Sequence, residues 1–130
     1  MSAPVAKRGD RVIGIDTHVV LVPSPTGPIP TPMPMPFSGP LVDQLSDSVL
    51  VENEPVAVVD SVANNSPPHL PMGGSFQTPP TNRAVVSAGS ETVFAENKAI
   101  ARANDGARCC NDPSDSDTGH ILAGGSVFCG

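Results

Sequence analysis

The chain has 130 residues, 16 of them Pro and 12 Gly, so about a fifth of its positions break or punctuate regular structure, which excludes a long helical bundle. Four Phe with no Trp or Tyr leave a thin, aliphatic core, and cores of that kind recruit a metal, disulfides or a partner chain. The net charge is −6 and the seven Lys and Arg are scattered, so the basic stripe of a nucleic-acid binder is missing and nucleic acid is excluded as a partner.

In chain order, residues 1–10 lack the apolar h-region of a secretory signal, and no run approaches the roughly 18 apolar residues that span a bilayer. The expectation is a single soluble domain over residues 1–130, made in the cytoplasm. Short β-branched runs bounded by turn residues predict strands over 11–15, 18–22, 48–52, 55–59, 92–96, 99–103 and 121–129, the last interrupted by Gly124 and Gly125. Asn53-Glu54 and Asn97-Lys98 read as two-residue hairpin connections, Asn being tolerant of positive φ. The Pro-rich tracts 23–40 and 67–80 read as long loops that pack across the scaffold or fold over its surface, a composition that fits a disordered linker equally well.

An internal repeat carries more weight. Residues 49–57 align with 93–101, sharing a Glu-Asn pair and the apolar positions. A third copy forms if the ends are joined, 126–130 matching the first strand of the hairpin and 4–10 the second, with 4–10 also matching 55–61 and 99–105. The predicted fold class is therefore all-β, a pseudo-threefold assembly of β-hairpins whose last strand pairs with its first, an arrangement that removes sheet edges.

The chemistry follows from the same frame. His18 lies as far beyond Asp10 as His69 lies beyond Ser61, the matching position, and Cys109 and Cys110 follow the third equivalent, Asp105. Three nitrogen or sulfur donors leaving three equivalent hairpins converge near the axis, as a tetrahedral zinc site requires, and imidazole with thiolate suits Zn²⁺ or Fe²⁺. Three Cys cannot all pair with one another, and a reducing compartment favours ligation over disulfides. His120, at the start of the last strand, is a further candidate ligand without a repeat match; Cys129 reads as a small buried hydrophobe. Asp16, close before His18, is placed to orient its imidazole as an acceptor. The acidic stretch 112–119 lacks the twelfth-position Glu and flanking helices of an EF-hand, and Asn64-Asn65-Ser66 fits a glycosylation acceptor that no secretory route would use. No Gly-x-Ser-x-Gly, phosphate-binding Gly-Lys-Ser/Thr loop or His-Glu-x-x-His occurs.

Residues 89–105, followed by Cys110-Asn111-Asp112-Pro113, resemble the signature of PAAR-repeat proteins, with Ala99-Ile100-Ala101-Arg102 standing for the Pro-Ala-Ala-Arg element and 4–10 and 55–57 as degenerate copies. The resemblance covers nearly the whole chain and is closest to the PAAR-like tips of phage-tail-like contractile injection particles, related to type VI secretion. It implies a small β cone that caps a trimeric β-helical spike, one copy per trimer, and ends in a metal-pinned apex that meets the target membrane transiently. Cargo domains often follow the last repeat in that family, so an adaptor that recruits effector cargo is the alternative, and a zinc-dependent hydrolase a remote one; the expectation is a structural protein, not an enzyme. Made in the cytoplasm, it would end at the tip of the assembled, extracellular particle. The implied ligands, typically three His and one Cys, fall on His18, His69 and Cys110, the last preferred over Cys109 because of the Cys-Asn-Asp-Pro match. Met35 stands where relatives often carry the remaining His, leaving His120, Cys109 or water to complete the shell.

Overall fold

A computed structural model describes residues 2–130. Its strands in chain order are β1 (Ala3–Pro4), β2 (Arg11–Val22), β3 (Ile29–Asp43), β4 (Leu50–Val51), β5 (Glu54–Pro55), β6 (Val62–Asn64), β7 (Ser75–Phe76), β8 (Arg83–Val86), β9 (Phe94–Ala95), β10 (Lys98–Ala99), β11 (Gly106–Cys109), β12 (Ser116–Leu122) and β13 (Phe128–Cys129). The fold is all-β, with no helix among the described residues. Strands β2, β3, β6, β8, β11 and β12 close into a six-stranded antiparallel barrel, with β7 added along β2. Three two-stranded hairpins complete it: β4 with β5, β9 with β10, and β13 with β1.

The threefold pattern extends to individual hydrogen bonds. Ala57 N–H donates to Ala6 O, Ala101 N–H to Ala57 O and Ala6 N–H to Ala101 O, each at 2.9 Å, a closed ring of three wholly buried alanines. Arg8, Val59 and Ala103 donate in the opposite cyclic order to Pro55, Ala99 and Pro4, again at 2.9 Å. Each segment then turns through a positive φ at Gly9 (93°), Asp60 (81°) and Asn104 (71°). The side chains of Asp10, Ser61 and Asp105 cap these turns by accepting from the backbone N–H of Lys7, Val58 and Arg102. The repeat read from the sequence is thus a structural repeat, one copy built from the two ends of the chain.

The barrel core stacks on that ring in equivalent layers. Val12 faces Gly39, Ala63 faces Ala84 and Ala107 faces Gly119 within the three hairpin units; Leu41 faces Ala63, Val86 faces Ala107 and Ile121 faces Val12 between units. Leu41, Val86 and Ile121 are almost fully buried, which stabilises the fold by about 1.5–3 kcal/mol for each side chain. The third layer is Gly or Ala because the strands crowd there: a Cβ on Gly39 would lie 2.0 Å from Asn64 O. A second apolar cluster of Val5, Val56 and Ile100, again equivalent, lies among the three small hairpins.

Three expectations are corrected. Runs 11–15 and 18–22 form one strand, β2. Most of the first Pro-rich tract is not a loop but the 15-residue strand β3, paired along its length with β2. Its prolines alternate, and Pro34 and Pro32 lie opposite Thr17 and Val19. Those two residues direct their backbone groups away from β3: Thr17 N–H donates to Asn111 Oδ1 and Val19 N–H to Asp112 Oδ2, while their carbonyls accept from Asp112 and Gln77. The prolines therefore occupy the non-hydrogen-bonded pairs, where the ladder needs no N–H, and the residues between them, Thr31, Met33, Met35 and Phe37, turn inward. The hairpin turns also sit one residue earlier than expected. Positive φ falls on Glu52 and Asn53 (52° and 66°) and on Glu96 and Asn97 (53° and 69°), the paired positive values of a type I′ turn, which follows the right-handed strand twist.

Candidate metal centre

Alternation along β2 puts Val12, Asp16, His18 and Val20 on its inner face, all buried. Asp16 and His18, two residues apart, are therefore neighbours above the apolar layers. His69 arrives from the second repeat on the loop after β6, where its N–H donates to Asn82 Oδ1 at 2.8 Å. Cys110 follows β11 in the third repeat, its N–H donating to Arg83 O at 3.2 Å. One ligand atom from each of Asp16, His18, His69 and Cys110 lies within 4.8 Å of all the others, and all four residues are buried.

Within this cluster His69 Nε2 is 2.8 Å from Asp16 Oδ2, Cys110 Sγ is 3.3 Å from the same oxygen, and Cys110 Sγ is 3.7 Å from His18 Nε2. The two imidazole rings lie 4.9 Å apart, with Phe76 against His18 and Phe37 against His69. Two of the chain's four Phe thus wall the site, and a cleft of about 150 Å³ lined by His18, Cys110, Asp112 and Pro80 leads to it. Burial lowers the His18 pKa, and the adjacent His69 adds to this against the raising effect of Asp112 and Asp16. Burial, with the Asp16 carboxylate second, pushes the Cys110 thiol up to about 11 and Cys109 up to about 12.

The donor set fits a cation. Asp16 Oδ1 and His18 Nδ1 are buried without a hydrogen-bond partner, and an unpaired buried polar atom costs about 1–3 kcal/mol. A divalent ion among two imidazoles, a carboxylate and a thiolate would satisfy the carboxylate and bring the Cys110 pKa down. Behind His18, Asp112 Oδ2 stands 3.7 Å from Nδ1, beyond hydrogen-bond distance, a negative charge that favours a proton on Nδ1 and so leaves Nε2 free toward the cluster. The buried cluster of Asp16, His18, His69 and Cys110 can therefore hold a metal ion.

The sequence-derived candidates divide as follows. His18, His69 and Cys110 come together. Cys109 is buried but belongs to the barrel core: a Cβ on Gly119 would lie 2.6 Å from its sulfur. His120 pairs with Ile13 on the outward face of β12 and is exposed, so it is not part of the cluster. Cys129 is half-buried against the second apolar cluster. Met35 is buried directly across the β2–β3 pair from Asp16. The place expected to lack a ligand therefore has one on the adjacent strand: Asp16, read as an orienting acceptor, is a member of the cluster. Its spacing from His18 on a strand was the available signal, hidden by the apparent break between the two halves of β2. No protein-family model matches the chain, and no curated protein or solved structure matches it.

Proposed function

We propose that the chain is the metal-pinned tip of a contractile injection system, a PAAR-like cap seated one copy to a trimeric β-helical spike. The observation that carries this reading is the threefold equivalence of the three small hairpins. Leu50, Phe94 and Phe128 occupy the same position in each, opposite Pro55, Ala99 and Pro4, and are nearly equally exposed, at 59%, 58% and 56%. Three large apolar side chains related by a pseudo-threefold axis match a partner with a true threefold axis, each meeting one subunit.

On this reading the cluster holds zinc, with iron(II) as the second choice, because one borderline-soft ion accepts imidazole, thiolate and carboxylate together. The ion supplies cross-linking and no reaction, and the chain is a structural protein made in the cytoplasm and carried to the tip of the extracellular particle. His18 and Asp16 from the first repeat, His69 from the second and Cys110 from the third present their donors to one point. The end of the barrel away from the hairpins would thereby resist splaying when driven against an envelope.

Two measurements test the reading. Elemental analysis of purified protein should find one zinc or iron, lost with thermal stability in His18→Ala, His69→Ala and Cys110→Ala; a stable, metal-free wild type would overturn the metal assignment. Native mass spectrometry of the chain with its particle should give one copy to three spike subunits, abolished by Leu50→Asp/Phe94→Asp/Phe128→Asp in a still-folded variant. Any other ratio, or docking that survives the triple change, overturns the tip assignment.

A further inference from the structure

The hydrogen bonds around His69 form a chain in which each group dictates the next. A backbone N–H can only donate, so the Asn65 atom 3.0 Å from Ser38 N is the side-chain oxygen. By the same logic the Asn82 atom 2.8 Å from His69 N is its oxygen. The Asn65 amide nitrogen then has its two hydrogens directed at Asn82 Oδ1, 3.4 Å away, and at His69 Nδ1, 3.2 Å away. A neutral imidazole carries one hydrogen. With Nδ1 accepting from Asn65, that hydrogen sits on Nε2 and is donated to Asp16 Oδ2 at 2.8 Å.

That is the wrong tautomer for ligation, since the Nε2 lone pair needed by a metal is occupied by hydrogen. The contrast with His18 is direct: a carboxylate oxygen of Asp112, not an amide N–H, lies behind its Nδ1. Turning the Asn65 amide over would let it accept from Nδ1–H, but would set its NH2 against Ser38 N–H and its oxygen against Asn82 Oδ1. Asn82 cannot follow without opposing His69 N–H. Asn65 is itself buried, so water does not easily replace the lost bonds.

We propose that Asn65 is a positioning residue that holds His69 in the Nε2–H form in the metal-free protein, and that loading of the cluster is coupled to reversal of the Asn65 amide. The inference rests on the metal reading above. In the exchange His69 loses the Nε2 proton to solvent and takes one on Nδ1, with no net change, while Cys110 releases one proton as it becomes thiolate. An aspartate at position 65 removes the conflict at Ser38, one oxygen accepting from Ser38 N–H and the other from His69 Nδ1–H, and leaves only the approach to Asn82 Oδ1 unfavourable. Asn65→Asp should then bind zinc more tightly by about ten- to a hundred-fold, the range over which outer partners of a ligating His act.

Long-range ¹⁵N–¹H correlation spectra of the imidazoles in metal-free wild type should show His69 protonated on Nε2, and zinc addition should move the proton to Nδ1. Protonation on Nδ1 before zinc, or a tautomer that zinc leaves unchanged while bound, overturns the proposal. Competition against a chromophoric chelator should show the gain in zinc affinity for Asn65→Asp, and equal or weaker binding by the folded variant overturns it. Wild type that keeps the Nε2–H form yet takes up no zinc overturns the metal reading and the coupling with it, but leaves the tautomer assignment standing.

Discussion

Asparagine in place of Asp16 separates a metal ligand from a mere hydrogen-bond acceptor. Asn keeps an oxygen within reach of His69 Nε2, now 2.8 Å from Asp16 Oδ2, and removes a buried charge whose other oxygen has no partner. Exchanging a hydrogen bond to a charged group, worth about 1.5–3 kcal/mol, for a neutral one of about 0.5–1.5 loses about 1–2 kcal/mol, and relief of the buried charge offsets part of it. Metal-free stability should therefore fall by at most about 2 kcal/mol. With zinc the variant loses an anionic ligand. At a zinc concentration about 1,000 times the wild-type Kd, binding stabilises wild type by about 4.1 kcal/mol; a Kd weakened about 100-fold leaves about 1.4. At about 3–5 °C per kcal/mol for a chain of this size, the zinc-induced rise in Tm should shrink by about 8–13 °C. Calorimetry with and without zinc, paired with chelator competition, measures both. An Asp16→Asn protein that binds zinc within threefold of wild type would refute Asp16 as a ligand, and the fourth position would then fall to solvent.

Three other outcomes follow from the geometry. Gly39→Ala should destabilise by about 1–3 kcal/mol or more in denaturant titrations, because its Cβ would meet the Asn64 and Asn65 backbone rather than a yielding side chain; a change under 0.5 kcal/mol would mean that the β3–β6 contact is looser than described. His120→Ala should leave zinc binding and Tm unchanged, since the imidazole points outward from β12; a loss of zinc would return it to the site. Metal-free protein should be most stable between about pH 6.5 and pH 9. The folded His18 pKa is lowered, so the unfolded chain binds more protons below about 6.5 and stability falls with pH there. The folded Cys110 and Cys109 pKa values are raised to about 11 and about 12, so the unfolded chain loses protons first and stability falls as pH rises above about 9. A flat Tm across pH 5–10 would contradict both arguments.

What the sequence disclosed and what it hid have separate physical causes. The hairpins were legible because a type I′ turn restricts its two central residues, and the Glu-Asn pair recurs where that restriction applies. The equal steps from Asp10 to His18 and from Ser61 to His69 were legible because the turn caps begin each unit in the same way. Strand β3 was hidden because proline is ordinarily a ladder breaker, and only pairing geometry reveals that every second N–H of this stretch is unused. Asp16 was hidden for a related reason. A strand over 11–22 whose outer groups are served by Asn111 and Asp112 looks, in one dimension, like two short runs with a polar gap between them, and the gap is where the carboxylate enters the site.

The two ends of the molecule divide symmetry between them. Near the hairpins the three repeats are interchangeable to the level of single hydrogen bonds, with an Ala-only ring on the axis. Beyond the Gly39, Ala84 and Gly119 layer they diverge: β2 and β3 run to 12 and 15 residues, whereas β6, β8 and β11 stop within four. Long strands in one repeat and loops in the others cannot close that end with a symmetric apolar layer, because the facing segments have different lengths and backbones. A cation needs no such match. It asks for one donor atom from each repeat at one point, and His18, His69 and Cys110 satisfy this from a strand, a proline-flanked loop and a strand end respectively. Divergent repeats that share an ion could vary their loops without opening the barrel.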